Sequence, residues 1–286
     1  MNFGGILSDF SSFEDSKFIV VPIPYDLTST YQPGSRRGPA AILDASSNLE
    51  FYDEELCRET YLEGIHTLPP VETDARGPER MMEIVCERIS YVLSFNKTPV
   101  ILGGEHSISF GAVRAMKKKY PSISVLQLDA HADMRDTYQG SPYSHASVGR
   151  RISELCPLVQ AGVRSISKEE TVFLAKSDVK TFPMGFINEN PEWGKRVCEN
   201  LSGDIYVTVD LDVLDPSVMP ATGTPEPGGI YWNDLLRLIK EVSGKCKIRG
   251  FDIVELTPIP GMVAPDFLAA KLVYRIMGYI AEGVEN

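Results

Sequence analysis

The sequence predicts an α/β fold around a mainly parallel sheet. Short β-branched apolar runs alternate with longer amphipathic ones along all 286 residues. Pro39, Pro78, Pro191 and Pro265 each stand where a first helical turn tolerates a proline. Three long irregular stretches, 24–38, 134–144 and 213–230, follow apolar runs. Loops of that length inside a compact domain are usually functional, and ligands of parallel sheets gather beyond the strands' carboxyl ends.

Taken in order, the chain opens with MNFGGILSDFSSFEDSKF. That segment lacks the basic start and apolar run of an export signal. FIVVPI at 18–23 is the first strand, apolar throughout, and helix 39–49 follows. A weaker strand is expected at 61–66 and a helix at 78–95. Strand 99–103, helix 107–119, strand 123–129 and helix 146–156 come next. Strand 158–162, helix 168–176, strand 179–182, helix 191–201 and strand 205–211 continue the alternation. Helix 231–242, strand 248–254 and helix 265–281 complete it. No repeat or linker interrupts the chain, so one domain is expected over 1–286. The formal net charge of −11 argues against nucleic acid and anionic membranes as partners and mildly favours a cationic ligand, although many soluble proteins are simply acidic. Cys57, Cys86, Cys156, Cys198 and Cys246 are odd in number and form no CxxC pair. They read as reduced thiols of a cytoplasmic protein. No apolar stretch is long enough to cross a membrane.

Chemistry concentrates at strand ends. LQLDAHADMRD places Asp129, His131 and Asp133 at alternate positions after a buried run. In extended chain such side chains share one side, roughly 6.5–7 Å apart. IYVTVDLDVLDP repeats the device with Asp210 and Asp212, ILGGEHS ends in His106, and RGFDIVEL carries Asp252 and Glu255. Each motif has a plainer reading alone. DAHAD could be a loop with a helix cap, DxD a turn, and GGEHS a tight turn with a surface histidine. The glycine pair is no phosphate loop, since GxGxxG and GxxxxGK[ST] are absent. His66 has no such company and reads as structural. Together the signals are stronger. Four neighbouring aspartates repel and raise one another's pKa. Two divalent cations would balance their charge, and a pair about 3.5–4 Å apart needs bridging carboxylates. Oxygen donors with imidazole and no thiolate favour Mn²⁺, with Co²⁺, Ni²⁺ or Zn²⁺ as alternatives.

GGEHS, DAHAD, VDLDVLDP, ATGTPEPGG and DIVELTP, in this order, resemble the successive motifs of the ureohydrolases, the arginase and agmatinase family. TYQPGSRRGPAAILDAS resembles that family's early Gly-Arg-Gly-Pro region, so the likeness spans about 19–279. The resemblance implies a three-layer α/β/α fold with an eight-stranded sheet and a binuclear Mn²⁺ site. It implies that His106, Asp129, Asp133 and Asp210 hold one cation. Asp129, His131, Asp210 and Asp212 would hold the other, with Asp129 and Asp210 as bridges. A hydroxide between the cations would attack the guanidinium carbon and release urea and an amine. Glu255 would anchor the guanidinium, a forked cation that suits a carboxylate. Asp133 would pass a proton to the leaving amine. His145, in PYSHASVGRR, would shuttle protons at the mouth; its plainer reading is a residue that starts a helix. The family is often trimeric or hexameric, so a homo-oligomer is expected.

The substrate is narrowed by two departures from the arginase pattern. Arg135 stands where an arginase keeps an asparagine, and TGTPEPGG is nearer the agmatinase form. The expected reaction is agmatine to putrescine and urea, a step of polyamine biosynthesis. Asp136 is a candidate partner for the substrate's ammonium. N1-aminopropylagmatine presents the same guanidinium, and Arg135 leaves guanidinobutyrate open. Arginase, guanidinobutyrase and formiminoglutamase are the alternatives within the family. A silent homologue serving as a binding subunit is the alternative outside catalysis.

Overall fold

The computed structural model describes residues 1–283; the last three positions of the expected domain lie outside the described residues. The strands are β1 (Phe18–Ile23), β2 (Tyr52–Asp53), β3 (Arg58–Glu59), β4 (Ile65–Thr67), β5 (Thr98–Gly103), β6 (Ser124–Leu128), β7 (Leu158–Ala161), β8 (Lys180–Phe182), β9 (Asp204–Asp210) and β10 (Lys247–Val254). Eight of them form one sheet in the order β4-β1-β5-β10-β9-β6-β7-β8, and every pairing in it is parallel. The other two, β2 and β3, make a small antiparallel hairpin that the sequence pattern did not announce.

The helices are α1 (Gly38–Ser46), α2 (Pro78–Ser94), α3 (Ile108–Lys119), α4 (Val148–Ser153), α5 (Lys168–Leu174), α6 (Met184–Glu189), α7 (Trp193–Glu199), α8 (Trp232–Lys245) and α9 (Ala264–Glu282). They cover both faces of the sheet, which explains its unbroken apolar strands. Along β1, Phe18 and Val20 enter the core shared with α1, α7, α8 and α9, whereas Ile19, Val21 and Ile23 enter the core shared with α2, α3 and α4. In α2, Met81, Met82, Val85, Cys86, Ile89, Val92 and Leu93 recur at helical spacing and are all buried. Full burial of each aliphatic side chain contributes roughly 1.5–3 kcal/mol. The three-layer α/β/α architecture with eight strands is the one expected.

Local differences have local causes. The weak strand expected at 61–66 splits, because Gly64 takes φ 78° and ends a short 3-10 helix at Thr60–Glu63 before β4 begins. The helix expected from Ala146 begins as a 3-10 turn at His145–Ser147, and α4 stops at Ser153. An extra helix, α6, precedes the one expected at 191–201. All five cysteines are free thiols, with only Cys57 exposed. Among the described residues no helix is long and apolar enough to cross a membrane.

The strand order positions the site. The last two sheet strands, β9 and β10, insert between β5 and β6. The carboxyl ends of β5, β10, β9 and β6 therefore lie side by side, at the point where the strand order reverses. Close approach sharpens this end of the sheet. A side chain on Gly104 would meet the Tyr25 carbonyl at 2.0 Å, so only glycine lets β5 exit against the loop after β1.

Candidate active site

A cavity of about 320 Å³ opens over these four strand ends. His106, His131, Asp133, His145, Asp210, Asp212 and Glu255 line it together with Ser29, Thr30, Gln32, Arg135 and Tyr138. Asp129 lies beneath, fully buried. The six residues expected to hold metal thus converge from three loops.

Their geometry is that of donors aimed at common points. His106 Nδ1 lies 3.0 Å from Asp129 Oδ2, 3.2 Å from Asp210 Oδ2 and 3.4 Å from Asp133 Oδ2. Yet this nitrogen is buried and has no hydrogen-bond partner. Its other ring nitrogen, Nε2, is 2.9 Å from Thr208 Oγ1. Thr208 in turn donates to Asp252, which also accepts from Tyr206 OH, both at 2.6 Å. With that chain fixing the ring, Nδ1 points its lone pair at three carboxylate oxygens, as a cation ligand does. His131 Nδ1 behaves alike, 2.9 Å from Asp212 Oδ2 and 3.7 Å from Asp129 Oδ1. His106, Asp129 and Asp210 form one group able to hold a metal; Asp129, His131 and Asp212 form a second. Asp129 belongs to both, as a bridge should. Asp210, the other expected bridge, joins only the first group; its Oδ1 accepts the Asp212 N–H at 2.9 Å and caps the turn after β9. Asp133 reaches its place through a left-handed backbone, φ 52°.

The electrostatics ask for positive charge. Burial opposes a charged His106, but Asp129, Asp133 and Asp210 overcome it and raise its pKa well above the usual value. His131 is raised too, against burial, by Asp212 and Asp129. Burial and Asp129 push Asp133 up to about 7, while burial, Asp212 and Asp129 raise Asp210. The cluster gathers protons where two divalent cations would neutralise it better, so these donors fit such a pair.

Across the cavity Glu255, also left-handed at φ 66°, accepts the His106 N–H at 2.7 Å with one carboxylate oxygen. Burial and Glu105 push its pKa up to about 8. His145 sits over the mouth, and burial together with the nearby His131 and His106 lowers its pKa to about 4. Asp136 is not brought to the cavity. Its carboxylate turns outward to Arg151 Nη2 at 2.5 Å, with Arg150 at 4.0 Å, so the ammonium role expected for it lacks a geometric basis. Arg135 does line the wall, with its guanidinium 5.2 Å over the Tyr138 ring. Sequence reading passed over Thr28, Thr30 and Glu105. The polar run Thr28-Ser29-Thr30 beside the TYQPG motif was the available signal.

Fold and donor set together define a metal-dependent hydrolase whose cavity suits a small cation. The chain belongs to the Arginase family, whose model matches residues 16–278, and it is accordingly a hydrolytic enzyme for guanidino substrates. It is 37% identical to an N(1)-aminopropylagmatine ureohydrolase of Synechocystis over 95% of this chain and 92% of that relative. It is 36% identical to an agmatinase of Bacillus cereus over 87% of this chain and 86% of that one. The agmatine ureohydrolase of Thermoplasma volcanium superposes with a TM-score of 0.88 at 34% identity, covering 96% of this chain and 94% of that structure.

Proposed function

We propose that the protein hydrolyses agmatine, or a close linear relative, to urea and the corresponding amine at a site holding two Mn²⁺. The convergence of His106, Asp129, His131, Asp133, Asp210 and Asp212 opposite Glu255 carries this reading. The cations, when bound, supply positive charge and an acidified water. Glu255 binds the guanidinium, presenting a carboxylate to its forked N–H groups. Its hydrogen bond from His106 N–H fixes the angle of that carboxylate. Asp133, which lines the cavity with its Oδ2 3.4 Å from His106 Nδ1, holds the proton that the departing amine takes as the carbon–nitrogen bond breaks. His145 exchanges protons between the cavity and solvent. The products place the protein in polyamine biosynthesis, and four buried thiols out of five support a cytoplasmic setting. We expect a trimer or hexamer, to be read from the mass in solution.

A second reading, N1-aminopropylagmatine as the preferred substrate, is favoured by the similarity to the Synechocystis enzyme. Arg135 on the cavity wall keeps guanidinobutyrate in consideration, since no carboxylate among the described residues pairs with it. Urea release should be measured with agmatine, N1-aminopropylagmatine, arginine and guanidinobutyrate, with metal content quantified in the same preparation. Urea is expected from the first two, and their kcat/KM ratio chooses between the readings. A metal-loaded sample that releases urea from none of the four overturns the proposal.

A further inference from the structure

We infer that Thr28 is a positioning residue that holds His145 in the tautomer with the proton on Nδ1 and the lone pair on Nε2. This rests on reading His145 as the proton-exchanging group. Thr28 is pinned at both ends. Its N–H donates to Glu105 Oε2 and its hydroxyl to Glu105 Oε1, each at 2.6 Å. Glu105 is fully buried and also accepts from Ser107 Oγ at 2.5 Å and Ser29 Oγ at 3.5 Å. A threonine hydroxyl has one proton, and here it goes to Glu105. The oxygen therefore turns only lone pairs to its other neighbour. That neighbour is His145, which donates its backbone N–H to Thr28 Oγ1 at 3.0 Å and brings Nδ1 to 3.3 Å from the same oxygen.

An acceptor facing Nδ1 selects Nδ1–H. The opposite nitrogen, Nε2, is then the unprotonated one. It faces Thr30 Oγ1 at 3.5 Å, on the wall of the cavity. The Tyr138 ring meets the imidazole edge-on, centroids 5.8 Å apart, and holds its plane. Ser144 Oγ also lies 3.4 Å from Nδ1 and is the rival neighbour; it accepts the Ala146 N–H and keeps its own proton to give, so the spectra below decide between it and Thr28. So oriented, His145 takes a proton at Nε2 and returns it from the same atom, while Nδ1–H stays tied to Thr28.

The chain has only four histidines, so their ring nitrogens can be read one by one. Long-range ¹H–¹⁵N spectra of ¹⁵N-histidine-labelled protein loaded with diamagnetic Zn²⁺ should show His145 protonated at Nδ1. The H145Q spectrum assigns the signals. Thr28→Val keeps the shape and removes the hydroxyl; it should move the His145 signals toward Nε2–H or a mixture and leave the other rings unchanged. Urea release from the Mn²⁺-loaded variant should fall about tenfold in kcat, with KM little altered. Thr28→Ser should restore both spectrum and kcat. Wild-type His145 found protonated at Nε2 overturns the inference without any variant. So does an unchanged His145 spectrum in Thr28→Val. Failure of the underlying reading shows separately, as H145Q with wild-type kcat.

Discussion

Asp210 spends one carboxylate oxygen on the turn that follows it and turns the other toward His106. Replacing it by asparagine keeps the cap acceptor and removes the charge. Asp210→Asn should therefore fold, bind fewer than two cations per chain and lose at least about 100-fold in urea release. Elemental analysis of the purified variant checks it, and two bound cations with near-normal turnover would contradict the assigned role. His145 carries a different expectation. Its pKa is near 4 in the folded chain and returns toward the usual 6.5 on unfolding. Between these values the unfolded state binds the extra proton, so stability is whole above 6.5 and lost as pH falls toward 4. At pH 5 the loss should be about 2 kcal/mol. Urea denaturation at pH 7 and pH 5 should show it as the difference between the metal-free wild type and metal-free His145→Gln, because the raised carboxyl groups Asp133 and Glu255 are common to both and act with the opposite sign. Residues at this scale were unevenly legible. Asp129, His131, Asp133, Asp210 and Asp212 stood out because they come at alternate positions where apolar strands end. Thr28 and Glu105 did not, since their pairing joins two loops 77 positions apart. Asp136 looked available only until α4 was seen to aim Arg150 and Arg151 at it.

The loop after β9 illustrates how one side chain shapes an element. Arg164 donates to the carbonyls of Asp212, Glu226, Pro227 and Gly162 at 2.7–3.1 Å, and to those of Val213 and Leu214 at 3.3 Å. Both ends of the 213–230 loop are thereby tied to the strand edge beside the second donor group. Arg164→Met removes this donor from all six carbonyls, and among the described residues only Val213 keeps a backbone partner, the Ile230 N–H at 3.0 Å. Amide hydrogen exchange across 213–230 should quicken roughly tenfold or more, because hydrogen bonds to a charged donor are each worth about 1.5–3 kcal/mol. KM should rise as Asp212 loses its fixed position. Exchange at wild-type rates would show that the loop is held by other contacts. The sequence pattern showed this loop but not its clamp, because carbonyl acceptors carry no residue signature. Strands were read well for the converse reason. Burial on both faces leaves runs such as FIVVPI with no polar residue to blur them. Short 3-10 turns and the β2–β3 hairpin escaped because they bury little and have no period.

For the whole molecule, cations bound only by the folded chain must stabilise it. At free Mn²⁺ about 100 times its dissociation constant, one site adds about 2.7 kcal/mol. For a chain of 286 residues that is about 4–5 °C in Tm. Exhaustive chelation should lower Tm by such an amount and excess Mn²⁺ should restore it; a Tm indifferent to both would mean that the cluster holds no cation. The fold class was legible from alternation alone. The neighbourhood of β5, β10, β9 and β6 was not, since strand order is decided by long crossovers rather than by local pattern. That order also has a bearing on biosynthesis. His106 and Asp129 emerge from the ribosome early, just past β5 and β6, yet these strands share no edge, and β9 and β10 fill the gap between them. A half-made chain therefore owns most of its donor atoms and no place to gather them. Loading with two cations is thus expected of the finished polypeptide, whose β9 brings Asp210 and Asp212 to the other donors.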